Sequence, residues 1–350
     1  MFYKITVILP VYNGEKFLKK AIDSIIEQSI GFGNIELICI DDCSNDNSKN
    51  ILNDYASLFK NIKIIFSKVN HGFPGYGRNI GIKNASSKYV MFIDQDDTYN
   101  KNICEKFYNI IEKEDMDIVG CNYKVYINGQ PNFSNISNFP SNEFKVNPSE
   151  NKKIFIDINM WNKIFRKSFL NKYKISCPID SLSEDGVFCV NAFLNTNKMI
   201  YLNDFFGYNY NIREKKGEES TINNVSEKEI NNLLKGLYKI ANIIKDNQRE
   251  DLMSLIFETH IKNILALFIR LDASKGSKIN ILNEIYAFEV YFNIKISFAE
   301  FWANFINKNI LKRHFNVVIL FSCFIKLFYN FDFLKQIYRK RYLKILKTTE

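Results

Sequence analysis

Four short apolar runs in the first hundred residues, three of them ending in polar or acidic residues, constrain this chain more than any other feature. They are Ile5–Leu9, closed by Pro10, then Ile35–Ile40, Ile62–Phe66 and Tyr89–Ile93. Continuous β-branched runs of this length suit strands buried on both faces. Between them the apolar residues recur at helical spacing: Phe17, Leu18, Ala21, Ile22, Ile25 and Ile26 over Glu15–Glu27, then Ile51, Leu52 and Tyr55 in a helix that Ser44 is placed to cap. Strand and helix in alternation predict right-handed βαβ units and a doubly wound parallel sheet. Such sheets bind ligands beyond the carboxyl ends of their strands. Tyr12-Asn13, Asp41-Asp42 and Asp94-Gln95-Asp96-Asp97 all fall at that edge.

The pattern changes after about residue 120. Ile127 to Asn151 is rich in Asn, Ser and Pro and predicts a loop or irregular insertion. From Ser226 onward, apolar periodicity predicts helices over 227–246, 250–271 and 278–292, followed by a basic, aromatic run. A chain of 350 residues holds one large or two modest domains. Seven scattered cysteines without a CxxC pair read as reduced thiols of a cytoplasmic protein. The first residues run straight into a strand pattern with no signal-peptide layout. Val317 to Phe331 is about 15 residues long and broken by Lys326, short of the roughly 20 a membrane span needs. Ten Lys/Arg against one acid between Phe305 and Lys347 account for the whole formal charge of +9. Basic residues interleaved with Phe, Ile, Leu and Tyr there predict an amphipathic end, lying against an anionic membrane surface or solvated along its basic face.

Each edge motif carries two readings. Asp94-Gln95-Asp96-Asp97 offers hard oxygen ligands for Mg²⁺ or Mn²⁺, or an acidic turn capping the next helix. Asp42 is placed to accept the N3–H of a uracil ring, or to begin a helix cap. Gly72 to Gly81 is glycine-rich and precedes a helix, with Arg78 in reach of a phosphate or a base; a flexible turn is the alternative. His71, His260 and His314 lack ligand spacing, so they read as surface or core histidines and zinc is not expected.

Ile5–Asn13, Ile40–Ser48, Arg78–Gly81 and Phe92–Asp97 together resemble, in order and spacing, the family 2 glycosyltransferases over roughly residues 1–120. That resemblance implies a GT-A fold, inversion at the anomeric carbon and a nucleotide-sugar donor, usually a UDP-sugar, with Mn²⁺ or Mg²⁺. Carried over by position, Pro10, Tyr12, Asn13 and Asp42 would hold the nucleotide, with Tyr12 stacking on the base and Arg78 near base and phosphates. Asp94 would approach ribose or metal, Asp96 would ligate the metal, and Asp97 would support them. Trp161–Phe165 is similar to a segment that precedes the acceptor region. Ser183–Phe188 resembles the family's Glu-Asp motif, which gives Asp185 the part of base and Glu184 an orienting one; a helix start with acids at its positive end is the alternative. Arg213, in a charged loop after an aromatic strand, would close over the diphosphate.

The reading is therefore a GT-A catalytic domain over 1–215, with a nucleotide half to 120 and an acceptor half from 121, and a helical region over 220–350. It would transfer a sugar to a glycan or lipid-linked glycan of the cell surface, in the cytoplasm and peripheral on the inner membrane face. A nucleotidyltransferase would want a glycine-rich basic loop after the first strand, where Pro10-Val11-Tyr12-Asn13 stands. A non-catalytic relative would not need both Asp96 and Asp185. Nucleic-acid binding by the basic end would be non-specific and salt-sensitive, so no specific nucleic acid is expected.

Overall fold

A computed structural model describes residues 2–127, 129–132, 143–212, 225–298 and 300–329. The chain divides into two compact units, Met1–Glu219 and Ser220–Glu350.

The first unit is built on one sheet. β1 (Ile5–Val11), β2 (Ile35–Asp41), β3 (Ile62–Phe66) and β4 (Tyr89–Phe92) lie in the order β3-β2-β1-β4, all parallel. β1, β2 and β4 are buried along their lengths, apart from half-buried Pro10 in β1, which is why they read as unbroken apolar runs. Helices α1 (Leu18–Ile26), α2 (Ser48–Leu58), α3 (Pro74–Asn84) and α4 (Ile103–Lys113) connect and cover them. The sheet continues through β9 (Lys163–Arg166), β6 (Ile118–Ile127), β10 (Met199–Ile212) and the two-residue β5 (Thr98–Tyr99). Beyond β4 the pairing is mixed: β6 and β10 run parallel, whereas β9 is antiparallel to both its neighbours and β5 antiparallel to β10. The segment expected as a loop contributes two strands, β7 (Gln130–Asn132) on β6 and β8 (Glu143–Val146) on β10. Helices α5 (Lys167–Lys172) and α6 (Glu184–Leu194) complete the unit.

Two local expectations are corrected. The Gly72–Gly81 segment does not precede a helix; most of it is the helix α3, begun by Pro74 in its first turn. Its glycines serve packing: a Cβ on Gly81 would meet Ile8 at 2.3 Å, and one on Gly75 would meet the Pro178 carbonyl oxygen at 2.1 Å. Ser44 does not cap α2. Asn47 precedes that helix without a side-chain bond to its backbone N–H groups, and the Ser44 hydroxyl accepts the Asn13 N–H instead.

The second unit is helical: α7 (Glu227–Asp246), α8 (Met253–Arg270), α9 (Lys275–Tyr291), α10 (Phe301–Leu311) and α11 (Phe315–Tyr329). α9 starts three residues before the expected 278 because Ser274 accepts the Ser277 N–H and caps it there. Phe257, Phe268 and Phe288 fill its core. Among the described residues, Glu250–Arg270 is long and apolar enough to cross a membrane, but just over half of that stretch is buried, as in a core helix.

Because Ile8 is fully buried and cannot retreat, Gly81→Ala is expected to destabilise the chain by about 1–3 kcal/mol. Gly33→Ala, with nothing within 4 Å of the new carbon, should be close to neutral. Urea unfolding of the two variants checks this.

Candidate active site at the carboxyl edge of the sheet

The residues that follow β1, β2 and β4 meet as the parallel topology requires. Tyr12, 44% exposed, leaves β1 with its backbone held by Gln95: its N–H donates to Gln95 Oε1 at 2.9 Å, and Gln95 Nε2 donates to its carbonyl at 2.9 Å. Gly14 makes this clasp possible, since a Cβ there would lie 2.4 Å from the same Oε1. Asn13 sits in the left-handed region (φ 48°), donates to Ser44 and accepts the Asn45 N–H, so it knits the β1 and β2 ends together. Asp42 accepts two bonds from His71, the backbone N–H at 2.9 Å and Nδ1 at 2.7 Å. His71 is thus a half-buried histidine paired with a single carboxylate. His260 is half-buried on α8, and the loss of solvent around it pushes it down to about 4.

After β4 the four acidic-loop residues separate by role. Asp97 is buried and accepts the Tyr208 hydroxyl and the Asn211 N–H, each at 2.7 Å. Burial, then the charges of Asp96 and Asp94, raise its carboxyl well above the usual range. The same Tyr208 hydroxyl accepts the Asp94 N–H at 3.2 Å, and Asn211 Nδ2 donates to the Asp96 carbonyl at 3.0 Å. β10 thus fixes the loop from beneath, while the Asp94 and Asp96 side chains stay half-buried at the edge. Trp161 lies behind it, buried and stacked on Tyr208 (centroids 4.3 Å) and Tyr210 (5.5 Å). Neither Gln95 nor Tyr208 stood out in sequence; each acts through a partner more than eighty residues away.

Arg78, projecting from α3, links the acidic loop after β4 to the start of α6. It is 3% exposed, with NH2 2.7 Å from Asp94 Oδ1 and NH1 2.5 Å from Glu184 Oε1. Its guanidinium therefore grips two carboxylates, and Nε stays buried without a hydrogen-bond partner. Glu184 and Asp185 open α6 behind Ser183, which adopts φ 64°. Burial is the main influence on both and raises both; Arg78 pulls in the opposite direction, and Glu184 is pushed up to about 7. The Gly186 N–H donates to Asp185 Oδ1 at 2.8 Å. Arg213 lies outside the described residues.

Among the described residues, no three His, Cys, Asp or Glu side chains converge into an ion site of their own. Two carboxylates at an open edge suit Mg²⁺ or Mn²⁺, which take one or two protein oxygens and fill the remainder from water and substrate phosphates. Asp94 and Asp96 fit that description.

Residues 6–174 match the family described as Glycosyl transferase family 2. Over that stretch, just under half of its length, the chain is similar to the family 2 glycosyltransferases. A poly(ribitol-phosphate) beta-glucosyltransferase of Bacillus spizizenii is 33% identical over 63% of this chain and 34% of its own length. The poly(ribitol-phosphate) beta-N-acetylglucosaminyltransferase TarS of Staphylococcus aureus is 29% identical over 76% of this chain and 44% of its own. The chain thus spans between a third and a half of the length of these curated relatives. The crystal structure of TarS residues 1–349 with UDP-GlcNAc superposes with a TM-score of 0.67 at 24% identity, covering 82% of this chain and 80% of that one. That likeness establishes the GT-A fold.

The raised Glu184 carboxyl has a defined consequence for stability. Its contribution is full below about pH 4.5 and is lost as pH rises through about 7. Urea midpoints for wild type should therefore fall between about pH 5 and pH 8, and Glu184→Gln should remove that part of the slope. Parallel slopes in the two proteins would contradict it.

Proposed function

We propose that the chain transfers one sugar, with inversion, from a UDP-sugar to a hydroxyl of a cell-surface glycan or lipid-linked glycan. What carries the reading is the Arg78 bridge: it joins the edge carboxylate Asp94 to Glu184, beside Asp185, so that donor-side and acceptor-side acids share one cation. The relatives' names state glucosyl and N-acetylglucosaminyl transfer to poly(ribitol-phosphate), and the similar TarS structure holds UDP-GlcNAc.

In this reading Pro10, Tyr12 and Asp42 receive the base, with Tyr12 offering an exposed ring for stacking. Asn13 holds the loop that presents them. Asp94 and Asp96 would hold Mn²⁺ or Mg²⁺ through a carboxylate each. A divalent ion there supplies charge neutralisation for the departing nucleotide diphosphate. Arg78, engaged by Asp94 and Glu184 through its two terminal nitrogens, acts by holding those carboxylates in place. Arg213 would close over the diphosphate. The acceptor oxygen attacks the anomeric carbon opposite the nucleotide, the bond to the phosphate oxygen breaks, and the acceptor proton passes to Asp185. Burial makes Asp185 a stronger base than an exposed aspartate, and Glu184 orients the pair. The functional division is a catalytic domain over 1–215, its nucleotide half to 120 and acceptor half beyond, and a helical region over 220–350.

The helical region, on this proposal, rests on the cytoplasmic face of the membrane. Val317, Leu320 and Phe324 are exposed at helical spacing on α11, next to Lys312 and Arg313. Residues 330–347, which carry most of the remaining basic charge, lie outside the described residues. Anionic vesicles should float the full chain at low salt. Glutamine at Lys335, Arg339, Lys340, Arg341, Lys344 and Lys347 should abolish flotation, and unchanged flotation would end the membrane proposal.

A nucleotide-release assay over UDP-, GDP- and CDP-sugars with Mn²⁺ or EDTA, with a ribitol-phosphate polymer as acceptor, tests the activity. Metal-dependent release from one UDP-sugar is expected, and release from none would overturn the assignment. Asp96→Asn should abolish turnover and weaken metal-dependent donor binding. Asp185→Asn should lower kcat by about 10²–10⁴-fold with donor binding retained.

A further inference from the structure

We infer that His71 is a positioning residue that fixes Asp42 as an acceptor and so sets which nucleobase the site prefers; this rests on the nucleotide-binding reading above. Three neighbouring strands, β3, β2 and β1, deliver His71, Asp42 and Tyr12 in that order along the carboxyl edge. The β2 end is tied to both sides: the Asp42 N–H donates to the Val11 carbonyl, and the Ser67 N–H to the Asp41 carbonyl. Asp42 therefore stands between an exposed aromatic ring and a histidine.

His71 grips this carboxylate through both oxygens, its backbone N–H on Oδ2 and Nδ1 on Oδ1. A carboxylate only accepts, so the pairing assigns the imidazole proton to Nδ1. The ring is itself immobilised: it stacks on Tyr76 at 3.4 Å between centroids and 9° between planes. Tyr76 is anchored on α3, the helix that also carries Arg78. The His71 and Asp42 side chains are 26% and 15% exposed, so the pair is partly desolvated yet still open to a ligand.

Two donors use two of the roughly four lone-pair sites of a carboxylate and hold its plane. The remaining sites can take a ring N–H, as at N3 of uracil, and repel a ring nitrogen that bears only a lone pair, as at N3 of cytosine. Without the imidazole, Asp42 keeps only the backbone N–H on Oδ2 and turns more readily about its Cβ–Cγ bond. The order needed to meet the uracil edge must then come out of the binding free energy. The role is one of selectivity among bases, which a general support of the fold would not produce.

The test is calorimetric titration of the full chain with UDP and with CDP in Mn²⁺, using wild type, His71→Ala and His71→Asn. UDP should bind His71→Ala about tenfold more weakly, the loss of one hydrogen bond to a charged group. CDP should be unchanged, so the preference for UDP shrinks by the same factor. His71→Asn, whose amide N–H reaches where Nδ1–H did, should recover most of the UDP affinity, with urea midpoints confirming that both variants fold. Unchanged UDP binding in His71→Ala, an equal loss for UDP and CDP, or no recovery in His71→Asn would overturn the role of His71 while leaving the nucleotide site standing. Absence of UDP binding in wild type would overturn the nucleotide reading itself, and this inference with it.

Discussion

The buried guanidinium of Arg78 is the interaction on which the rest of the site depends. It lies between Asp94, just after a strand in the parallel half of the sheet, and Glu184, at the start of a helix more than a hundred residues after Arg78 itself. Burying a carboxylate is costly, and the charges of Asp185 and Asp94 add to that cost at Glu184, as Asp94 does at Asp185. One cation engaged by two of them offsets part of that cost and turns mutual repulsion into a fixed spacing. Buried ion pairs of this kind seldom increase stability over a hydrophobic alternative. Their presence at an open edge is better understood as stability given up for an acid array held in register.

Arg78 reaches that position because its helix packs unusually close to the sheet. Gly81 rides on Ile8, and Gly77 lies in ordinary contact range of Pro10 and Ile40. A side chain at Gly81 would push the helix away and carry the guanidinium with it, whereas a Cβ at Gly77 would only fill the contact. The acidic loop is fixed by a different device. Asp97 is buried under Tyr208 and Asn211, and Gln95 clasps the end of the first strand, which leaves Asp94 and Asp96 at the edge. Four consecutive residues thus divide into two anchors and two acids at the edge, fixed by hydrogen bonds to residues more than eighty positions away.

The parallel strands and their polar ends were legible because unbroken apolar runs and strand-to-helix alternation are local patterns. The same locality explains what was missed. Glycine's low helix propensity made Gly72–Gly81 read as a loop or turn, whereas Pro74 starts a helix there and the glycines answer to Ile8 and Pro178, neither of them sequence neighbours. Ser44 has the chemistry of a cap, but its hydroxyl is claimed by Asn13, thirty-one residues earlier. His71 lacked any ligand spacing because its partner is a single carboxylate on the adjacent strand end. The antiparallel additions β5 and β9 are short, and the first is only two residues long, below what periodicity can register.

The most direct test of this account is a double-mutant cycle between Arg78→Met and Glu184→Gln, read in unfolding free energy and in UDP affinity with Mn²⁺. If one guanidinium organises both carboxylates, the two substitutions must be strongly non-additive, with a coupling of about 1–3 kcal/mol in stability and a matching non-additivity in nucleotide binding. Additivity to within about 0.5 kcal/mol in both readouts would mean that Asp94 and Glu184 are positioned independently, and the account would fail at its centre.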